Sequence, residues 1–196
     1  LLVSHQPSAL LPTIRSRCRE LRLAPLPAQA ITAALEQAGI AVEDEGPALA
    51  ALSGGSVGEA IRLTNLDGLQ DYAAIVRLFS TLPRLDRPAA LSLAGSLGAR
   101  GAEARFDLAL ALFDLFLSRL ARSGIDGPPL PEAAPGESAL FARLSADQGA
   151  ARGWADLHQS QGARARHGKA VNLDPAALIL DMIFKIDETA HRLSAR

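Results

Sequence analysis

Apolar residues recur at intervals of three and four along most of the chain, which is the spacing of one face of an α-helix. The clearest stripes are Tyr72, Ile75, Val76 and Phe79; Phe106, Ala109, Leu110, Phe113, Phe116, Leu117 and Leu120; and Leu178, Ile179, Met182, Ile183, Ile186, Ala190 and Leu193. They predict helices over 69–82, around 106–120, and from Asp174 or Pro175 to about Leu193. The second stripe is the broadest, so we expect its helix at the centre of its domain.

Three shorter helices are predicted between residues 24 and 67. The first spans Pro27 to Ala38, the second spans Glu45 to Leu52 before Ser53-Gly54-Gly55, and the third begins after a Ser56 cap and ends near Leu66. A bundle of about 40 residues buries little surface by itself, so we expect it to pack against its neighbours.

Further helices are predicted over Pro88–Leu97, 137–146 and 149–167, with a proline- and glycine-rich loop from Gly127 to Gly136. On the polar side of the last helix, Asp181–Lys185 and Glu188–Arg192 have i,i+4 spacing, which predicts two ion pairs.

The first 23 residues follow a different pattern. Leu1-Leu2-Val3-Ser4 is typical of the end of a buried strand, and Leu21-Arg22-Leu23 alternates as a short strand does. Between them, Pro12 suits the first turn of a short helix, where no backbone N–H is needed. Ile14 and Cys18 are four residues apart and are predicted to share the inward face of that helix.

Charge divides the chain into three segments. The whole chain has 20 Lys+Arg and 21 Asp+Glu, a formal net charge of −1, so a general electrostatic attraction to nucleic acid or anionic lipid is not expected. Residues 1–23 hold four arginines against one glutamate, residues 24–67 hold six acidic residues against one arginine, and residues 68–196 are nearly neutral. The transitions predict boundaries at Pro25-Leu26-Pro27 and at Asp67-Gly68.

Common catalytic and metal-binding motifs are absent from the sequence. It has no phosphate-binding G-x-x-x-x-G-K-[ST] loop, and His5, His158, His167 and His191 lack metal-ligand spacing, so solvated histidines are predicted. The run Glu43-Asp44-Glu45 indicates a solvated helix start rather than a cation site. Cys18, with His5 near it in sequence, could be a nucleophile, but a cysteine packed beneath its helix is favoured. A single cysteine fits a reducing cytoplasm, and no apolar run approaches the ~20 residues of a membrane helix.

The stretch Leu10-Leu11-Pro12-Thr13-Ile14-Arg15-Ser16-Arg17-Cys18 resembles the Ser-Arg-Cys motif of clamp-loader ATPases. In that family a strand like Leu1–Ser4 precedes the motif, and a Gly-Ser-x-Arg pattern follows in a lid domain, where this chain has Gly55-Ser56-Val57-Gly58. The order of these features is similar to that in the delta-prime subunits of the bacterial DNA polymerase III clamp loader. The similarity is specific over about residues 1–66 and looser beyond.

The resemblance implies a mainly α chain with three parts. Residues 1–23 would be the C-terminal end of an AAA+ core, 24–67 a three-helix lid, and 68–196 an all-helical collar for oligomerisation. Because the chain begins with Leu1 and its only methionine is Met182, we expect it to be the C-terminal portion of such a subunit.

The resemblance also assigns roles to individual residues. Arg17 would be a trans arginine finger that reaches the γ-phosphate of ATP on a neighbouring subunit, with Thr13, Ser16 and Cys18 supporting the motif. ATP-binding members carry a sensor arginine where this chain has Gly58, which favours a subunit that binds no nucleotide itself.

The implied partners are the gamma/tau and delta subunits, with the sliding clamp and primed DNA reached through the complex, and no membrane. The chain would bind no cofactor or metal itself, would contact a neighbour's ATP and Mg in trans, and would not be catalytic alone within the polymerase holoenzyme. Two alternatives remain open: a helical protein-interaction scaffold, and a DNA-binding helix-turn-helix over Ala48–Leu63, which its acidic character disfavours.

Overall fold

The computed structural model describes residues 2–4, 6–42 and 44–195, and the predictions made for Leu1, His5 and Glu43 lie outside them. Within these residues, a 3-10 turn at Pro7–Ala9 is followed by ten α-helices: α1 (Pro12–Arg15), α2 (Ala28–Gln37), α3 (Gly46–Ser53), α4 (Val57–Asn65), α5 (Gly68–Phe79), α6 (Arg87–Leu97), α7 (Glu103–Asp126), α8 (Glu137–Leu144), α9 (Gln148–Ala170) and α10 (Pro175–Ser194). The mainly α prediction is therefore confirmed, and most helix ends lie within a few residues of those predicted.

The two predicted strands do not form among the described residues. Leu2 and Val3 are 67% and 83% exposed, and Leu21 and Leu23 are 82% and 87% exposed. An extended segment becomes a strand only when a second strand accepts and donates its backbone hydrogen bonds. The described part of the chain offers no such strand, so both segments are irregular.

Local signals explain where the short helices begin and end. Gly54 ends α3 with a φ of 58°, the left-handed conformation that glycine adopts without strain. The Ser56 hydroxyl accepts a hydrogen bond from the Glu59 backbone N–H at 3.3 Å and so caps α4, as predicted. Asp174 caps α10 in the same way through the Ala177 N–H, at 2.9 Å.

Helices α2, α3 and α4 pack together around buried leucine and isoleucine side chains, namely Ile31, Leu35, Leu49, Leu52 and Leu63. This bundle packs against the rest of the chain, as expected. A Cβ on Gly68 would lie 2.6 Å from Leu63 Cδ2 and 3.2 Å from Leu108 Cδ2, so the glycine permits a close approach of α4, α5 and α7. The buried apolar residues form one continuous cluster from α2 to α10, and the boundary at Asp67-Gly68 stays a prediction.

Helix α7 contacts α5, α6, α8 and α9, which confirms the prediction that it is central. Its Phe113 and Phe116 are fully buried, and Phe116 lies in an aromatic cluster with Tyr72, Phe79 and Phe141, with ring centroids 5.1 to 6.4 Å apart. The Tyr72–Phe116 and Phe116–Phe141 contacts are edge-to-face, and packing of this kind adds to the free energy gained from burial.

The prediction of two ion pairs within α10 is wrong, because Asp181 and Glu188 pair with other residues. Asp181 pairs with Arg164 of α9 at 2.7 Å, and Lys185 pairs with Glu188 at 2.7 Å. Because α9 packs beside α10, it presents a guanidinium to Asp181 that the spacing along α10 could not reveal. Among the described residues, no helix is both long enough and apolar enough to cross a membrane.

Candidate functional site

Helix α1 is a single turn that places the predicted finger motif at its end. Pro12 occupies the first turn, and the backbone N–H of Ser16 donates to the Pro12 carbonyl at 2.9 Å. The Ser16 hydroxyl also donates to the Thr13 carbonyl at 3.2 Å. The Arg17 N–H then donates to the Ile14 carbonyl at 3.1 Å. Thr13 and Ser16 thus close the turn immediately before Arg17.

Arg17 is exposed, and no hydrogen bond or ion pair of its guanidinium occurs within residues 2–4, 6–42 and 44–195. Arg15 and Arg19 are exposed beside it. A guanidinium stays charged at every physiological pH, and its planar set of N–H donors matches the oxygens of a phosphate. The side chain is therefore available to an anion that approaches from outside the described chain.

The prediction that Cys18 packs on an inward face with Ile14 is wrong. Helix α1 ends at Arg15, so Cys18 lies beyond it and is exposed, while Ile14 is only half-buried. One turn of helix cannot carry the i,i+4 relation on which the prediction depended. In its exposed position Cys18 does not pack the motif.

The Gly55-Ser56 stretch, predicted to belong to a lid, lies at the turn between α3 and α4. Gly54, Gly55 and Ser56 form this turn, and the Ser56 N–H donates to the Ser53 carbonyl at 3.1 Å. The backbone N–H of Leu26 donates to the Gly55 carbonyl at 3.0 Å. This bond joins the segment that carries Arg17 to the bundle of α2, α3 and α4.

Gly58 is the second residue of α4 and is exposed. A Cβ built on it would meet only Ser56 Oγ, at 4.0 Å. The structure therefore has room for a long side chain there. A charged side chain is absent from this position because the residue is glycine, and not because the fold leaves no space for one. The hydrogen bonds of the described residues do not join Arg17 to Gly58, and the Leu26–Gly55 bond is the one hydrogen bond among them that joins the segment before α2 to the turn before α4.

The histidines give a mixed result. His167 and His191 are exposed, as predicted, whereas His158 is half-buried with Nε2 2.8 Å from Asp114 Oδ1. No group of three or more His, Cys, Asp or Glu side chains gathers as metal ligands within the described residues. In the acidic run, Asp44 and Glu45 are exposed ahead of α3, in keeping with a solvated helix start.

Sequence patterns did not reveal the buried polar cluster of the interior. Glu137 is fully buried and accepts hydrogen bonds from the Tyr72 hydroxyl at 2.5 Å, from Arg119 at 2.8 and 2.9 Å, and from the Ala133 N–H at 2.7 Å. Burial, then the Glu137 carboxylate, raises the pKa of Tyr72 far above its usual range. Burial is the largest single effect on Arg119 and acts to lower its pKa, but hydrogen bonds and charge attraction from Glu137 and Tyr72 together outweigh it, so the pKa is raised. Tyr72 and Arg119 lie 65 and 18 residues from Glu137, so no local signal could have paired them.

Comparison with known proteins gives one partial match. The chain is 54% identical over 81 residues to the delta′ subunit of DNA polymerase III from Pseudomonas aeruginosa. The match covers 39% of this chain and 24% of that protein, so it spans about a quarter of the relative's length. Over the matched stretch, it confirms the resemblance to delta-prime subunits. No family model matches the chain, and no solved structure matches it.

Proposed function

We propose, on the basis of the similarity to a delta′ subunit, that this chain acts in a clamp-loader complex as a subunit that binds no ATP itself. In this role it supplies Arg17 in trans to a neighbouring ATPase subunit and joins a ring through its collar helices. The reaction it serves is the loading of a sliding clamp onto primed DNA during replication, in the cytoplasm. The chain alone is not catalytic.

The observation that carries this proposal is the free guanidinium of Arg17. It follows a closed helical turn, it is exposed, and no carboxylate pairs with it among the described residues. Negative charge on the γ-phosphate oxygens must be stabilised as the phosphoryl group is transferred, and an arginine supplied from outside the nucleotide site does this. Arg17 would therefore act on ATP and Mg held by the neighbour.

Gly58 supports the assignment to a subunit that does not bind ATP. In ATP-binding members of the family, an arginine at the equivalent lid position senses their own nucleotide. Gly58 has no side chain with which to do so, although open space surrounds it. The sequence also has no phosphate-binding loop that would hold a nucleotide within these 196 residues.

The collar role rests on helices α5 to α10 and on the apolar side chains that they leave exposed. Leu91 of α6 is 58% exposed and Phe184 of α10 is 40% exposed, and these two helices pack against each other. Exposed aromatic and aliphatic side chains are typical of the centre of a protein interface. The gamma/tau and delta subunits are the proposed partners, with the clamp and DNA contacted through the assembled ring.

The decisive experiment replaces Arg17 in the full-length protein and measures the ATPase of the reconstituted complex with primed DNA and clamp. Fingers in other nucleotide hydrolases contribute ~10³–10⁵-fold to the rate. We therefore expect R17A to lower kcat for ATP by at least about tenfold in this multi-site complex, and R17K to restore only part of it, because Lys lacks the bidentate geometry. Arg19 is the matched control, since it is also exposed and lies two residues away. Equal ATPase rates for R17A, R19A and the unaltered protein would refute the finger role.

A helix-turn-helix function has one structural observation in its favour, which is that α3 and α4 are joined by a turn of three residues. The charge of this region opposes it. Glu59 at the start of α4 pairs with Arg62 at 3.1 Å, and Asp44 and Glu45 lie exposed ahead of α3. These carboxylates would repel the phosphates of DNA. A general helical scaffold accounts for α5 to α10 equally well and leaves the Ser-Arg-Cys stretch unexplained; co-purification with a gamma/tau-type subunit separates the two.

A further inference from the structure

Among the described residues, the segment that carries Arg17 makes one hydrogen bond to the lid bundle. Leu26 N–H donates to the Gly55 carbonyl at 3.0 Å, and the other hydrogen bonds of described residues before Leu26 are local to that segment. Residues 19–25 are exposed and irregular. The direction in which this segment leaves the lid is therefore set at Gly55.

Glycine is the one residue type at position 55 that permits this contact. Its φ is +78°, and a Cβ on it would lie 2.6 Å from Leu26 N, 2.6 Å from Pro25 Cβ and 2.8 Å from Pro25 Cα. Two of these three atoms are backbone, so they cannot move aside as the end of a flexible side chain can. A side chain at position 55 would therefore displace Pro25 and Leu26 from the lid.

Gly54 is a natural control in the same turn. Its φ is +58°, also left-handed, but a Cβ on it would meet nothing within 4 Å. An alanine at either position carries the same kind of left-handed backbone strain, about 1 kcal/mol. Only at position 55 does the alanine also push against the segment that leads to Arg17.

We propose that Gly55 is a positioning residue for Arg17, because its contact with Pro25 and Leu26 fixes the point at which the segment that carries the arginine joins the lid. This inference rests on the proposed finger function. Without the contact, the guanidinium samples more positions, and a displacement of about 1 Å from a reacting phosphate can lower a rate by up to ~10²-fold. Gly55 touches no nucleotide and acts only through the segment it holds.

The first test compares G55A, G54A and R17A in the full-length protein within the reconstituted complex. We expect G55A to lower kcat for ATP by about tenfold or more with an unchanged KM, because the neighbour's ATP site is intact, while G54A stays within about twofold. If R17A itself has no effect, the finger function fails and the positioning role fails with it. If R17A lowers kcat but G55A and G54A behave alike, the positioning role alone is refuted.

The second test measures the position of the segment directly and requires no ATPase activity. Cys18 is the only cysteine of the chain and is exposed, so it accepts a nitroxide label, and G58C offers a second exposed site on α4. We expect electron–electron resonance to give a broader or shifted Cys18-to-58 distance for G55A, and an unchanged one for G54A. Identical distributions in both variants would contradict the contact.

A variant at Leu26 provides the test if G55A does not fold. L26P removes the N–H that donates to Gly55 and leaves the sequence of the lid turn unchanged. It is expected to reproduce the fall in kcat and the broader distance. A variant that folds, loses the hydrogen bond and keeps both values would overturn the proposal.

Discussion

Replacing Glu137 with alanine removes the acceptor of four hydrogen bonds that converge in the interior of the protein. The donors are the Tyr72 hydroxyl, two nitrogens of Arg119, and the Ala133 N–H. The Arg119 side chain is only 15% exposed and Glu137 is not exposed at all. The variant therefore leaves a guanidinium, a phenol and a backbone amide without their acceptor, in a place that water reaches poorly.

The expected loss of stability follows from the burial of these groups. Removing one partner of a buried ion pair lowers the free energy of unfolding by about 3–5 kcal/mol, since a charge is left without its counterpart. The unsatisfied hydroxyl and amide act in the same direction, at about 1–3 kcal/mol each, but water entering the new space offsets part of this. We therefore expect E137A to lose about 4 kcal/mol.

Urea unfolding provides the assay, because the chain has a single tryptophan that reports on the interior. Trp154 is fully buried and its indole N–H donates to the Leu144 carbonyl at 2.8 Å, so its fluorescence changes when the helices separate. Circular dichroism should give the same midpoint if unfolding is two-state. E188A is the matched control, since Glu188 is 69% exposed and its pair with Lys185 contributes little.

Two results would contradict this reasoning. A loss below about 1 kcal/mol for E137A would mean that the cluster is not desolvated as described. A loss for E188A equal to that for E137A would mean that the pairing itself, rather than its burial, sets the magnitude.

Two other predictions concern single residues. Tyr72 is the only tyrosine, and its pKa is raised by burial, so absorbance at 295 nm should show no phenolate in the folded protein until well above pH 10. Because the unfolded chain releases this proton more readily, the contribution of Tyr72 to stability should be constant below about pH 10 and fall above it. Y72F should weaken that fall, and an ordinary titration near pH 10 in the folded state would refute the burial. G58A should raise stability by about 0.5 kcal/mol, since the site is open and helical, whereas G68A should lower it because its Cβ meets Leu63 at 2.6 Å; urea midpoints that shift in the same direction would contradict this.

Helices were predictable here because their signals are local. The apolar stripe of α7, the Ser56 cap of α4 and the glycine that ends α3 each depend on residues within a few positions of one another. A helix hydrogen bond joins residues four apart, so chain order already places its partners together. The Ser-Arg-Cys stretch was visible for the same reason, as a short run of adjacent residues.

Longer-range features depended on packing that chain order does not contain. The partner of Asp181 was wrongly assigned along α10 because Arg164 comes from a different helix, and the burial of Glu137 depends on α5 and α7. The prediction of two strands was wrong because a strand requires a second strand to pair with. The prediction of an inward face for Cys18 was wrong because a helix of one turn does not extend far enough to place Cys18 on the same face as Ile14.

The candidate site likewise combines features that single positions determine with a contact that only packing creates. The identity of Arg17 and the absence of a side chain at Gly58 are properties of single positions, available before any folding is known. The contact of Gly55 with Pro25 and Leu26 joins residues about 30 positions apart. Such a contact exists only once α2, α3 and α4 have packed, because distances across a fold are set by the mutual packing of helices rather than by spacing along the chain.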